Sequence, residues 1–305
     1  MMNHQQELGA GLKGAESDES REDTMKPILE NLLKSNPSAA HSALDAPTDV
    51  SLRVPCYCEE NVWRLAFRKL YQQQYDTALS NLQFFVVFVS NPKACVPMFH
   101  QLASTNRNKP IFWDYHVILV STGTVRNDGD DTARPSSLVW DMDSHLSCPC
   151  PFQEYIDAVF WDYHKWPHEY TPHFRVVDAM SFLRHFSSDR SHMLQSDGTW
   201  NATPPPYDCI LQLQPPLELS APTANGVNQS SSDGNGGRNT LLQYMTISKE
   251  EVAGSTVLNN VEKGGIFCNQ KEGVAVRVGE SATDQSSTCT FGEIYTLPQL
   301  RERFQ

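Results

Sequence analysis

From residue 60 onward, apolar side chains recur at Val62, Trp63, Ala66, Phe67, Leu70 and Tyr71, a spacing that gathers them on one face of a helix. Residues 84–89 are apolar at every position and partly β-branched, the pattern of a strand buried on both faces. Two further strand-like runs follow at 111–119 and 138–142, separated by the turn-rich stretch Asn127, Asp128, Gly129, Asp130, Asp131. Strands joined in this way are most simply antiparallel neighbours. Residues 152–160 and 177–186 read as helices, and 291–300 as a strand followed by a short helix opened by Pro298. The sum is an α+β architecture, a helix packed on an antiparallel sheet.

The same pattern divides the chain. Residues 1–50 are polar and poor in aromatics, with one short amphipathic piece at Ile28, Leu29, Leu32 and Leu33, and are expected to form a disordered leader. Residues 51–213 hold most of the aromatics and are expected to form the core. The Gly/Asn/Ser-rich run through Ser230–Gly237 marks 214–290 as a mostly flexible insertion, with order returning near 241–247. Residues 291–305 then supply a C-terminal strand and helix that complete the core.

Composition narrows the function. The 305-residue chain is 39% hydrophobic and 20% charged, with net charge −12 and no long Lys/Arg block. That balance argues against a nucleic-acid partner, which calls for a concentrated basic patch. The polar N-terminus lacks the apolar segment of a secretory signal, and the most apolar stretch, 82–89, is too short to span a bilayer. A soluble, monomeric, intracellular protein is expected, cytoplasmic and with the nucleus also open to it. Its eight cysteines are then free thiols rather than a disulfide framework.

One thiol stands in a distinctive place. Cys58 lies just ahead of the helix predicted from Glu59, where the helix dipole and unpaired N–H groups favour a thiolate and could hold an oxyanion. Glu59 and Glu60 oppose that thiolate if they point inward, so at least one should point elsewhere or bind substrate. His116 sits in the 111–119 run, where strand alternation groups Phe112, Asp114, His116 and Ile118 on one face and Trp113 with Tyr115 on the other. Asp141, in the next run, can hold the imidazole in one tautomer. A thiol at a helix start, an imidazole on one strand and a carboxylate on the next is how Cys-His-Asp acyl-transfer sites are built. Cys56 is the rival nucleophile and Asp143 the rival orienting carboxylate. Cys148 and Cys150 repeat the C-x-C spacing of Cys56 and Cys58, but one intervening residue is fewer than structural zinc sites use. No metal and no cofactor is expected. Trp161-Asp162-Tyr163-His164 repeats Trp113-Asp114-Tyr115-His116, but the Lys165-Trp166-Pro167 that follows breaks a strand. His164 is therefore placed at the surface.

Several peptides here resemble the protein N-terminal glutamine amidohydrolase family: Cys56-Tyr57-Cys58-Glu59-Glu60-Asn61-Val62-Trp63, Trp113-Asp114-Tyr115-His116-Val117, Trp140-Asp141-Met142-Asp143, Phe186-Ser187-Ser188-Asp189-Arg190-Ser191-His192-Met193, Pro204-Pro205-Pro206-Tyr207-Asp208-Cys209-Ile210 and Ile294-Tyr295-Thr296-Leu297. They occur in the family's order. The resemblance implies a papain-like or transglutaminase-like fold and hydrolysis of an N-terminal glutamine to glutamate with release of ammonia, in the N-degron route. It also places the family's cysteine, histidine and aspartate on Cys58, His116 and Asp141. The partners would be proteins or peptides with a free N-terminal glutamine. Recognition of a free α-ammonium calls for acidic groups near the thiol, and Glu59, Glu60, Asp114 and Asp143 are the candidates. In the Asp189–His192 segment, side-chain hydrogen bonds are expected to staple a loop. A Cys-dependent peptidase, a transglutaminase and a non-catalytic binder of N-terminal residues are the alternatives.

Overall fold

A computed structural model describes residues 18–76, 79–125, 134–213, 239–257 and 291–305. The predicted loop at 127–131, residues 1–17 and most of the 214–290 insertion lie outside the described residues. Eight of the segments that follow are strands. β1 (Gln83–Ser90), β4 (His116–Val125), β5 (Arg134–Trp140), β6 (Cys150–Pro151), β7 (His173–Asp178) and β8 (Glu293–Thr296) form one six-stranded sheet. Their order is β6-β5-β4-β1-β7-β8 and every pairing is antiparallel. β2 (Val96–Met98) and β3 (Ile111–Trp113) make a separate two-stranded sheet.

The central strand β1 is buried on both faces, as its unbroken apolar run predicts. Phe84, Val86 and Phe88 face one core, and Val87 and Val89 face the other. The first core is covered by α1 (Asp18–Ser35), α2 (Pro37–Leu44), α3 (Cys58–Gln73), α5 (Ala179–His185) and α6 (Leu241–Met245), and the second by α4 (Phe152–Val159) and α8 (Leu297–Phe304). A further helix, α7 (Lys249–Val257), stands beside β8.

The expected disordered leader is corrected for residues 18–50. Leu29, Leu32, Ala39, Ala40 and Ala43 are fully or almost fully buried against α3. Arg68 of α3 donates to the carbonyls of Ala43, Leu44 and Ala46 and so caps the C-terminus of α2. The segment reads as polar because the contact face of α2 is made of small alanines and that of α1 of a few leucines set among charged residues. With α1 and α2 on one side and the sheet on the other, α3 is enclosed, and Glu59, Glu60, Asn61 and Arg64 are all buried.

Other corrections are local. The run 111–119 is two strands: the chain leaves β3 at Asp114-Tyr115 before β4 begins at His116. Phe112 therefore shares no face with His116, and Trp113, expected on the opposite face, stacks on the His116 ring with centroids 5.5 Å apart. The helix expected over 177–186 starts two residues later, because Val177 and Asp178 close strand β7. Its apolar residues run directly into α5, and the true boundary is Asp178, whose side chain accepts from the Ser181 N–H as an N-cap.

The late segments return as expected, α6 at 241–245 and β8 with α8 at the C-terminus. Thr296 and Gln299 form a capping box, with Pro298 in the first turn. Fully buried Arg175 of β7 fastens them to the core, donating to the carbonyls of Tyr244, Thr246 and Phe291. Gly292 leads into β8 at φ +84, where a Cβ would lie 2.5 Å from the Val176 carbonyl oxygen, so only glycine fits.

Candidate active site

The α3 start is prepared by a tight turn. The Tyr57 N–H donates to the Val54 carbonyl at 3.3 Å, with Pro55 and Cys56 in the middle of the turn and Cys56 at φ 67. Proline then positive φ is the signature of a type II turn. Asn61 staples this turn to the helix: its side chain accepts from the Val54 N–H at 2.9 Å and donates to the Val54 carbonyl at 2.8 Å. Cys56 is thereby exposed on the turn, whereas Cys58 is itself the first residue of α3, one position earlier than expected. Its backbone N–H belongs to the first turn, whose N–H groups have no acceptor within the helix.

The Cys58 sulfur takes a hydrogen bond from the backbone N–H of Val117, the residue after His116, and its thiol donates to Glu59 Oε2 at 3.6 Å. Burial pushes the Cys58 thiol well above its ordinary range, and the Glu59 and Asp143 carboxylates push it further. Crowding and two acids thus oppose the thiolate that the helix start favours.

His116 begins β4, opposite Val89 of β1, and is 1% exposed. Its Nε2 lies 2.9 Å from Asp141 Oδ1. Burial presses the His116 pKa down, but the charge and hydrogen bond of Asp141, with Asp143 and Glu59 behind it, more than offset this and the net shift is upward. Asp141 stands just beyond the end of β5 rather than inside the strand. Burial raises its pKa, and His116, the Tyr155 hydroxyl and the Asp143 N–H outweigh burial and hold it below the usual carboxylate value. Oδ1 accepts from His116 and from the Asp143 N–H at 3.0 Å, and Oδ2 from Tyr155 at 2.8 Å and Gln101 Nε2 at 3.4 Å. Gln101 is itself held by the Trp113 indole N–H at 3.2 Å.

The four acidic candidates separate. Glu60 receives Arg190 on both oxygens, at 2.9 and 2.8 Å. Asp143 pairs with Arg53 at 2.7 Å. Asp114 is exposed and accepts from the Tyr115 N–H. Glu59 is fully buried; the Tyr115 hydroxyl donates to its Oε2 at 3.0 Å, and its Oε1 has no hydrogen-bond partner. Burial, then the nearby Glu60 charge, raises the Glu59 carboxyl to about 7.

Gln101, Tyr115, Tyr155 and the bonding of Arg190 escaped the sequence reading. Tyr115 adjoins His116 in a motif already singled out, but nothing local ties Gln101 or Tyr155 to Asp141. His164 is exposed, as expected. Among the described residues, the grouping that could hold a metal ion is His116, Asp141 and Asp143, with donor atoms within 4.8 Å of one another. Its donor atoms are already engaged by one another, by Tyr155 and by Arg53. Neither C-x-C pair joins it.

Comparison with known proteins places this site in context. A family model described as N-terminal glutamine amidase matches residues 53–269. The chain is 42% identical over 157 residues to an Arabidopsis thaliana protein named protein N-terminal glutamine amidohydrolase, covering 52% of this chain and 67% of the relative. Proteins of the same name from Bos taurus and Homo sapiens are 36% identical over 174 residues and 35% identical over 175. Each of these two matches covers 57% of this chain, and respectively 77% and 78% of the relative.

Proposed function

The chain belongs to the N-terminal glutamine amidase family, and from that premise we propose that it is an amidohydrolase converting an N-terminal glutamine to glutamate through a Cys58 thioester. The observation that carries this is the buried His116–Asp141 pair at 2.9 Å beside a thiol at the start of α3. A thiol at a helix start facing an imidazole on a sheet is also the design of papain-like and transglutaminase-like hydrolases, the fold kinship proposed for this chain.

In this mechanism the Cys58 proton passes to His116 as sulfur attacks the side-chain carboxamide carbon. The oxyanion is met by N–H groups of the first turn of α3. The C–N bond breaks as His116 returns the proton to nitrogen, and ammonia leaves. Water then attacks the γ-glutamyl thioester, giving one proton to His116. The C–S bond breaks, His116 returns its proton to the sulfur, and the new carboxylic acid releases its own proton to solvent, leaving a carboxylate and a restored thiol. Asp141 supports the imidazolium throughout, and its four hydrogen-bond donors fix its position.

The product is a new N-terminal glutamate suited to arginylation, which places the proposed role in the N-degron route. Action as a monomer in the cytoplasm and nucleus, without nucleic acid or membrane, is part of the same proposal. The test is incubation with peptides differing only in their first residue, following ammonia and the mass change of amide to acid. Release from glutamine alone is expected. Cleavage of internal bonds, or preferential transfer to an added amine, would instead favour a peptidase or a transglutaminase. Binding without turnover would favour a non-catalytic reader of N-termini.

A further inference from the structure

A buried carboxylate oxygen without a partner is costly, and one lies beside the nucleophile. Glu59 Oε1 is enclosed yet accepts no hydrogen bond, and His192 Nε2 is 3.6 Å away, too far to satisfy it. The other oxygen of the same carboxylate already accepts the Tyr115 hydroxyl and the Cys58 thiol. Glu60 and Asp143 are each matched by an arginine, and Asp114 is open to solvent. Glu59 is thus the acid of the four left with unmet demand for a cation.

We propose that Glu59 Oε1 receives the free α-ammonium of the substrate's first residue, and that this contact loosens the grip of the same carboxylate on the Cys58 thiol. The inference rests on the amidohydrolase reading and assigns its specificity. Anchor and sulfur sit on adjacent residues, so the distance from α-ammonium to attacked carbon is fixed. Glutamine spans it; asparagine, one methylene shorter, leaves the carbonyl about 1.5 Å short, a misplacement worth about 100-fold in rate.

The coupling follows from charge. After burial, Glu59 is the foremost group holding the proton on Cys58. An ammonium on Oε1 cancels that charge and eases transfer of the thiol proton to His116. A correct N-terminus thereby prepares the nucleophile, and a blocked one loses both binding and rate.

The experiment compares a glutamine-initiated peptide with its desamino counterpart, identical except for loss of the α-amino group. Wild-type protein should prefer the amino form by roughly 10- to 100-fold in kcat/KM, with contributions from both KM and kcat. In Glu59→Gln the preference should collapse toward unity, while Asp143→Asn should keep it. Should Glu59→Gln not fold, Glu59→Asp, whose carboxylate is withdrawn by one methylene, should lose most of the preference. A wild-type preference that survives in these Glu59 variants, or that disappears in Asp143→Asn, overturns the assignment. So does wild-type turnover indifferent to the amino group. No ammonia from either peptide would instead defeat the amidohydrolase reading itself.

Discussion

Burial and two nearby acids oppose ionisation of Cys58, so the proposed reactivity calls on its neighbours as well as on the helix terminus. Cys58→Ala is expected to reduce ammonia release to background, whereas Cys56→Ser, exposed on its turn, should leave turnover near wild type; both are checked by steady-state ammonia assay. Asp141→Asn should lower kcat on the order of 10³- to 10⁴-fold, the effect of misorienting a catalytic imidazole.

Glu59 gives a pH signature. Its carboxyl titrates at about 7 in the fold, and a peptide α-amino group at about 7.7–8.0. With Cys58, Glu60, Tyr115, His116 and His192 as its titratable surroundings, the anchor pairs ionised with its ammonium only between these values. A narrow bell in kcat/KM between about pH 7 and pH 8 is expected, and Glu59→Gln should remove its acid limb. The stability sign is opposite to that of a paired carboxylate. The folded pKa is raised from 4.5 to about 7, so between these values the folded state binds the extra proton. Stability from this group is therefore lost as pH rises, by roughly 3 kcal/mol above pH 7. Glu59→Gln should raise the melting temperature at pH 8 and leave it little changed at pH 5.

At the level of elements, the site is built where α3 begins and β4 starts, and both ends are fixed by side chains remote in sequence. Asn61 locks the turn before α3. Arg190, at φ 60 in the loop after α5, reaches Glu60 and the Tyr207 carbonyl. The sequence reading of a stapled loop at 189–192 agrees with this, with Asp189 accepting from the Ser191 N–H. Because the Arg190–Glu60 pair is buried, Arg190→Ala strands a carboxylate and should cost about 3–5 kcal/mol. Adding Glu60→Gln to that variant should recover part of the loss. Urea-unfolding midpoints of the single and double variants measure both.

For the whole molecule, the N-terminal helices are structural rather than ornamental. Asn36 bonds both backbone groups of Leu211, at 2.9 and 2.7 Å, and Ser38 donates to Asp208 at 2.9 Å. The chain therefore closes on itself behind α3. Removing residues 1–45 deletes Leu29, Leu32 and the three alanines and uncovers the face of α3 they pack against, a loss worth several kcal/mol. The melting temperature should fall on the order of 10 °C, read by thermal unfolding of full-length and truncated protein.

Hydrophobic periodicity by itself determined α3, the doubly buried β1, the β4–β5 pairing and the C-terminal strand and helix, because each rests on neighbours within one element or one hairpin. The residue types around Cys58, His116 and Asp141 likewise marked the candidate site. Tertiary structure decided the rest. It broke the 111–119 run so that Trp113 could cover His116, and it turned a polar, alanine-rich leader into a wall of the core. It also brought Tyr155 and Gln101 to Asp141 and left Glu59, among four acids equal in the sequence, as the one with an unmet oxygen. A side chain's identity is local, but its burial and partners depend on segments far along the chain, and these set whether an acid is spent on an arginine or free for a substrate.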